Sequence, residues 1–188
     1  MATTPPGQRK LQILQALAAM LEHPKGEKIT TAALARKLDV SEAALYRHFA
    51  SKAQMFEGLI EFIESSVFGL INQIAERQPD GLAQAHDILS MLLQFASNNP
   101  GMTRVMTGDA LVNEDERLQL RMNQFYDRVE LALKQALRLA SAVREEDVAA
   151  RANLLLSFVL GRWHRYAKSG FKANPSQDAA LQIAILLG

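Results

Sequence analysis

The 188-residue sequence predicts an all-α protein, and three observations predict it. Apolar residues recur at steps of three and four through every long segment, the spacing that lines one face of a helix. Short clusters of Gly, Pro, Asn and Asp separate those segments, as turns between helices require. The strict apolar–polar alternation of a half-buried strand is absent. With 48% apolar residues and 22% charged, the chain has ample material for a core and too little charge for disorder.

Each element follows from its own pattern. Residues 8–22 carry Leu11, Leu14, Leu17, Ala18 and Leu21 in one stripe, which Pro24 and Gly26 end. Leu34, Ala35, Leu38 and Val40 mark a second helix with a tight break at Leu38-Asp39-Val40. Ser41 then offers an N-cap oxygen to a short third helix that turns Leu45 and Phe49 inward. Ser51-Lys52-Ala53-Gln54 is a capping box opening a long helix over residues 52–77, with Met55, Leu59, Phe62, Ile63, Leu70, Ile71 and Ile74 partly inward. After the Gln78-Pro79-Asp80-Gly81 turn comes a helix over 82–97, broken at Asn98-Asn99-Pro100-Gly101, and a short piece to Gly108. Residues 114–139 form a long amphipathic helix on Leu118, Met122, Phe125, Val129 and Leu133. A helix over 147–169 is stopped by Gly170, and Asn174 caps a last helix that begins at Pro175 and ends at Leu187.

The second and third helices read as a helix-turn-helix. The outer face of the third shows Ser41, Glu42, Ala43, Tyr46, Arg47 and His48. Small residues near a helix start let the backbone approach base edges, where Ala43 suits a thymine methyl and Glu42 accepts from cytosine N4. Tyr46, Arg47 and His48 reach the flanking backbone, while Thr30 and Thr31 donate to phosphate from the start of the supporting helix. Lys52, beside the free amides of the long helix, makes a seat for another phosphate. Charge agrees with this reading. Residues 1–55 hold eight Lys/Arg against four Asp/Glu, a net of 8 − 4 = +4. The remainder has 13 − 16 = −3, so the overall +1 hides a segregated basic end able to neutralise phosphates.

Enzyme chemistry lacks its inventory. There is no cysteine, no nucleophile-elbow or phosphate-loop glycine pattern, and no pair of histidines at helical metal-ligand spacing among His23, His48, His86 and His164. No catalytic residue, metal or cofactor is therefore expected. The acidic runs Glu114-Asp115-Glu116 and Glu145-Glu146-Asp147 read as solvated helix starts favoured by the dipole. The opening MATTPPGQRKLQ lacks the basic-then-apolar pattern of a secretory signal, and no apolar run reaches the ~18–20 residues of a membrane span. A cytoplasmic protein is expected.

The last two helices are apolar over more than one face, through Leu154, Leu155, Leu156, Phe158, Val159 and Leu160 and then Leu181, Ile183, Ile185, Leu186 and Leu187. Such helices need cover, and a helix-turn-helix reads two half-sites as a dimer, so a homodimeric four-helix packing is expected here.

Thr30, Ala35, Val40-Ser41, Leu45-Tyr46, His48-Phe49, Ser51-Lys52 and Phe56, at their spacing, resemble the DNA-binding domain of TetR-family regulators over roughly residues 8–70. Within that family, VSEAALYRHF, LIEFIE, NPGMTRVMTGDAL and the later RLQ-x-R-x-NQ resemble the nucleoid occlusion type. The resemblance implies a three-helix DNA-binding domain over residues 1–52 on a helical dimerisation and partner-binding domain over 53–188. It implies a nucleoid-associated homodimer on palindromic double-stranded DNA that antagonises the tubulin-like division protein FtsZ. Carried over residue by residue, the partner site falls on Phe62 and Leu70 of the fourth helix and on Met91, Gln94, Asn98 and Asn99 of the fifth. Phe62 and Asn99 keep the residues of the type, whereas Leu70 and Asn98 stand where it has an arginine. The alternative is a ligand-responsive repressor of the same family, with an effector pocket lined by Met91, Phe95, Met102, Met106, Phe125 and Trp163.

Overall fold

The computed structural model describes residues 6–23 and 29–188. The expected break at Pro24 and Gly26, together with Lys25 and Lys28 of the basic end and residues 1–5, lies outside the described residues. Among those described, nine α-helices follow one another: α1 Pro6–Leu21, α2 Thr31–Lys37, α3 Glu42–Tyr46, α4 Lys52–Arg77, α5 Gly81–Asn98, α6 Pro100–Met106, α7 Glu116–Leu139, α8 Glu145–Lys168 and α9 Ala179–Leu187. A single 3₁₀ turn, Asp109–Leu111, joins α6 to α7.

The first three helices pack on one another and on the start of α4. Leu17, Ala18, Leu21, Leu34, Leu45 and Phe49 are buried as the apolar stripes require, but Leu11 is exposed and Leu14 half-buried, and Ile13, outside the expected stripe, is buried instead. Leu38 closes α2, and Asp39 then takes a left-handed conformation at φ 53°, which a short polar side chain tolerates in a tight turn. Ser51 caps α4 as expected, its Oγ accepting from the Gln54 amide at 3.1 Å. The reciprocal bond of the capping box is displaced by one residue. Gln54 Oε1 accepts from Ala50 N at 2.8 Å instead of from Ser51 N, because the chain enters α4 from a bend.

Helix α4 is the spine between the first three helices and the larger bundle of α5, α7 and α8. Its Met55, Phe56, Leu59, Ile60, Ile63, Val67, Ile71 and Ile74 are buried, whereas Phe62 and Leu70 stay exposed. At the centre of the bundle Trp163 is fully buried and its indole Nε1 donates to the Leu92 carbonyl at 3.2 Å. Phe125 packs edge-on against Phe68 with ring centres 5.4 Å apart. Helix α6 lies on α1 so closely that a Cβ at Gly101 would sit 2.1 Å from the Ala18 carbonyl oxygen. Only glycine permits that backbone approach.

One helix start differs from the expectation. Asn174 and Pro175 do not open the last helix; they lie in a turn, and α9 begins at Ala179 after Asp178 in the left-handed region. Asn174 Oδ1 does cap locally, accepting from Ser176 N at 2.8 Å. The cause is Arg162, whose guanidinium donates to the carbonyls of Asn174, Pro175 and Gln177. Those carbonyls would otherwise be the first acceptors of a helix begun at Pro175. A tertiary partner therefore outcompetes a local helix-start signal.

A clasp holds α6 to its surroundings. Arg104 Nε pairs with Asp109 Oδ2 at 2.9 Å, Lys168 of α8 pairs with Asp109 Oδ1, and Arg104 Nη1 reaches the carbonyls of Leu21, the last residue of α1, and of His23 just beyond it. Burial alone would raise the Asp109 pKa, but hydrogen bonds from Lys168 and Arg104 outweigh it and hold the carboxyl below its ordinary value of 3.8. A depressed carboxyl contributes stability that is present above the unfolded pKa and is lost as pH falls through the folded one. Asp109→Asn is expected to lower stability by about 1–2 kcal/mol near neutrality. Its deficit against the parent should shrink as pH falls through the lowered pKa of Asp109. Thermal melts of both proteins at several pH values check this; a deficit that persists at the acid end would refute the clasp's contribution.

Candidate nucleic-acid interface

The helix-turn-helix face is assembled by two adjacent helix starts. Thr30 Oγ1 accepts from Ala33 N at 3.1 Å and caps α2, and Ser41 Oγ accepts from Ala44 N at 3.2 Å and caps α3. The Thr31 hydroxyl donates to Glu42 Oε2 at 2.5 Å, so the two starts lie side by side. Leu45 is 1% exposed and Phe49 8%, which pins one side of α3 to the core. The opposite side, Ser41, Glu42, Ala43, Tyr46 and Arg47, is left in solvent, with His48 half-buried at its edge.

These residues therefore meet on one surface, with two qualifications of chemistry. Glu42 and Thr31 occupy each other, so a base amine or a phosphate arriving there must exchange with an existing hydrogen bond. Lys52 is also engaged. Its Nζ lies 2.5 Å from Glu114 Oε1 and 5.7 Å from the Phe56 ring centre, and its side chain is only 22% exposed. Arg36 and Lys37, exposed in the last turn of α2, add positive charge near the same face. The sequence pattern had counted their charge without marking them as contacts.

A second feature lies between α4 and α5. Leu70, Gln73, Ile74 and Arg77 face Asp87, Ser90, Met91 and Gln94 across an open groove of about 370 Å³. Leu70, Met91 and Gln94 of the expected partner site line this groove, and Gln94 Nε2 donates to Asn98 Oδ1 at 2.9 Å. Asn99 is placed differently: its amide donates to the Phe95 carbonyl at 2.8 Å and so satisfies the end of α5. Phe62 lies two helical turns before Leu70 on α4 and is 42% exposed. Gln73, Arg77, Asp87 and Ser90 went unmarked in the sequence, though Gln73 and Arg77 stand three and seven residues after Leu70, and Asp87 stands four residues before Met91, with Ser90 beside it.

The six residues of the alternative effector pocket are divided. Met106, Phe125 and Trp163 are fully buried in the core, Phe95 and Met102 are half-buried, and Met91 lines the surface groove. Among the described residues no helix is long and apolar enough to cross a membrane.

Comparison with known proteins completes the picture. Residues 13–59 match the family of bacterial regulatory proteins of the tetR type, and residues 79–187 match the tetracyclin repressor-like C-terminal domain. The chain is 50% identical over 183 residues to the nucleoid occlusion factor SlmA of Idiomarina loihiensis, covering 95% of this chain and 93% of that protein. It is also 50% identical over 182 residues to the SlmA protein of a Marinomonas species, covering 95% and 92%. Among solved structures, a TetR-like transcriptional regulator from Rhodococcus superposes with a TM-score of 0.79 at 17% identity, covering 98% of this chain and 96% of that one. The fatty acid degradation regulator FadR of Bacillus halodurans gives a TM-score of 0.76 at 14% identity, with 100% and 97% covered. At those identities the two structures report on the fold alone.

Proposed function

We propose, for a chain that belongs to the TetR family and within it to the SlmA nucleoid occlusion factors, that its two exposed faces divide the work. The chain binds DNA through its helix-turn-helix and acts in nucleoid occlusion. The finer reading is that a homodimer holds palindromic chromosomal sites with Thr30, Thr31, Ser41, Glu42, Ala43, Tyr46, Arg47, His48 and Lys52. The domain of residues 53–188 then presents the α4–α5 face to FtsZ and so blocks septum assembly over the chromosome. The protein would work in the cytoplasm, on the nucleoid. Residues 1–52 form the DNA-binding domain in this reading.

The observation that carries it is the groove itself, where Leu70, Met91 and Gln94 line an open cleft on the same two helices that bear Phe62 and Asn98. A cleft with an apolar floor and polar lips suits an extended peptide segment better than a metabolite, which would be enclosed on more sides. The alternative effector-gated repressor is favoured less, because half of its expected pocket residues fill the core.

Phe62→Ala combined with Met91→Lys tests the face without touching Asn99, whose amide holds the end of α5. The double variant should keep its melting temperature and DNA affinity and lose about tenfold or more in FtsZ binding by the DNA-loaded protein. Undiminished FtsZ binding by the variant would move the partner site elsewhere. A parent protein that does not bind FtsZ at all would end this reading.

A further inference from the structure

We infer that Glu114 occupies, in the DNA-free protein, the position on Lys52 that a DNA phosphate takes in the complex, and so sets how tightly the chain holds DNA. The inference rests on the reading of Lys52 as a phosphate contact. It adds a residue 62 positions along the chain from Lys52, on the turn before α7, to the determinants of DNA affinity.

The packing of α7 on α4 carries the argument. Arg117 Nε pairs with Glu57 Oε1 at 2.9 Å, and Arg121 pairs with Glu64 through both Nε and Nη2 at 3.1 and 2.6 Å. Arg128 lies over the Phe68 ring, 3.7 Å from its centre. In each of these α4 supplies the acid or the ring and α7 supplies the cation. At the end of the ladder nearest the DNA-binding unit the polarity reverses, and Glu114 receives the ammonium of Lys52. Three other contacts already fix the register of the two helices, so adhesion does not require this reversed pair. What the register does is deliver a carboxylate to the one lysine at the start of α4.

The turn holds that carboxylate in place. Asn113 takes a left-handed conformation at φ 65°, and the Glu114 amide donates to the Leu111 carbonyl at 3.0 Å. The two side chains are 22% and 14% exposed, so the pair is partly dehydrated and stronger than a fully solvated one. An ammonium is a compact charge without a fixed fork, and it exchanges one anionic oxygen for another without rebuilding its surroundings. A phosphate oxygen and the Glu114 carboxylate therefore compete for the same donor. The acidic run Glu114-Asp115-Glu116 is then more than a solvated helix start at its first residue. Asp115 caps α7 through the Arg117 amide at 3.2 Å, Glu116 is exposed, and Glu114 alone of the three reaches Lys52.

The competition is sequence-independent, so a random-sequence duplex of about 24 base pairs suffices as the probe. Fluorescence anisotropy over a KCl series would compare the parent, Glu114→Gln, Lys52→Ala, their combination, and Glu116→Gln as a charge control. Glu114→Gln should tighten binding about three- to tenfold, the range of a partly dehydrated ion pair. Glu116→Gln, which removes the same charge two residues away, should change affinity less than about twofold. Lys52→Ala alone should weaken binding and lower the salt slope by about 0.9. In the Lys52→Ala background, Glu114→Gln should do no more than the charge control. Equal effects of Glu114→Gln and Glu116→Gln would overturn the inference, as would a tightening that survives loss of Lys52. An unchanged affinity and salt slope in Lys52→Ala would instead remove the phosphate reading beneath it, independently of Glu114. One measurement needs no variant: the side-chain carboxyl ¹³C resonance of Glu114 should shift when duplex is added, and a resonance that stays put refutes the exchange.

Discussion

Trp163→Ala is expected to lower stability by about 3–5 kcal/mol, the range of a fully buried aromatic replaced by a methyl group. Two losses combine there. The indole leaves a cavity in the middle of the bundle, and the Leu92 carbonyl, which accepts from it at 3.2 Å, loses that donor and keeps only its bond within α5. Trp163→Phe separates the two, since it keeps most of the volume and removes only the hydrogen bond; its loss should be nearer 1–2 kcal/mol. Urea unfolding at one fixed protomer concentration measures both, because self-association would otherwise add to apparent stability. A Trp163→Ala loss below about 1 kcal/mol would mean that the bundle collapses around the site and that Trp163 is not its keystone.

Leu181→Asp combined with Ile185→Asp is expected to yield a monomer that holds a palindromic site at least about 100-fold more weakly. These two side chains are 67% and 72% exposed and lie one turn apart on α9, and Leu154 of α8 is 54% exposed. Helix α9 packs on α5, and Arg151 and Arg162 of α8 reach across to Leu187 and Gln182 of α9. Their outer apolar face is what a self-complementary interface needs, on the order of 800 Å² per protomer. Two half-site contacts linked through a dimer gain their affinity from linkage, and a monomer keeps only one of them. Sedimentation velocity reads the assembly, and anisotropy with a palindromic duplex reads the affinity. A double variant that still sediments as a dimer would place the interface on another face. One that is monomeric with undiminished affinity would show that each protomer reads DNA alone.

Much of this protein was determined by its sequence. The class, the order of the helices and most of their ends follow from apolar residues at helical spacing and from caps such as Thr30, Ser41 and Asp80, whose oxygens accept the amides three residues on. Those signals act within a few residues, so the sequence displays them directly. The exposed face of α3 was partly legible for the same reason: once Leu45 and Phe49 are assigned inward, helical geometry sends Ala43 and Arg47 outward, whereas Ser41 and Glu42 stay in solvent because they stand at the open start of the helix. The tertiary structure decided what depends on contacts between distant residues. Arg162 takes the carbonyls on which an earlier α9 would have begun, Glu114 reaches Lys52 across 62 residues, and Gln73, Arg77, Asp87 and Ser90 become one groove only when α4 meets α5. A local pattern fixes which way a side chain leaves its own helix. Which charge or carbonyl it then meets depends on how the helices pack, and no spacing along the chain encodes that distance.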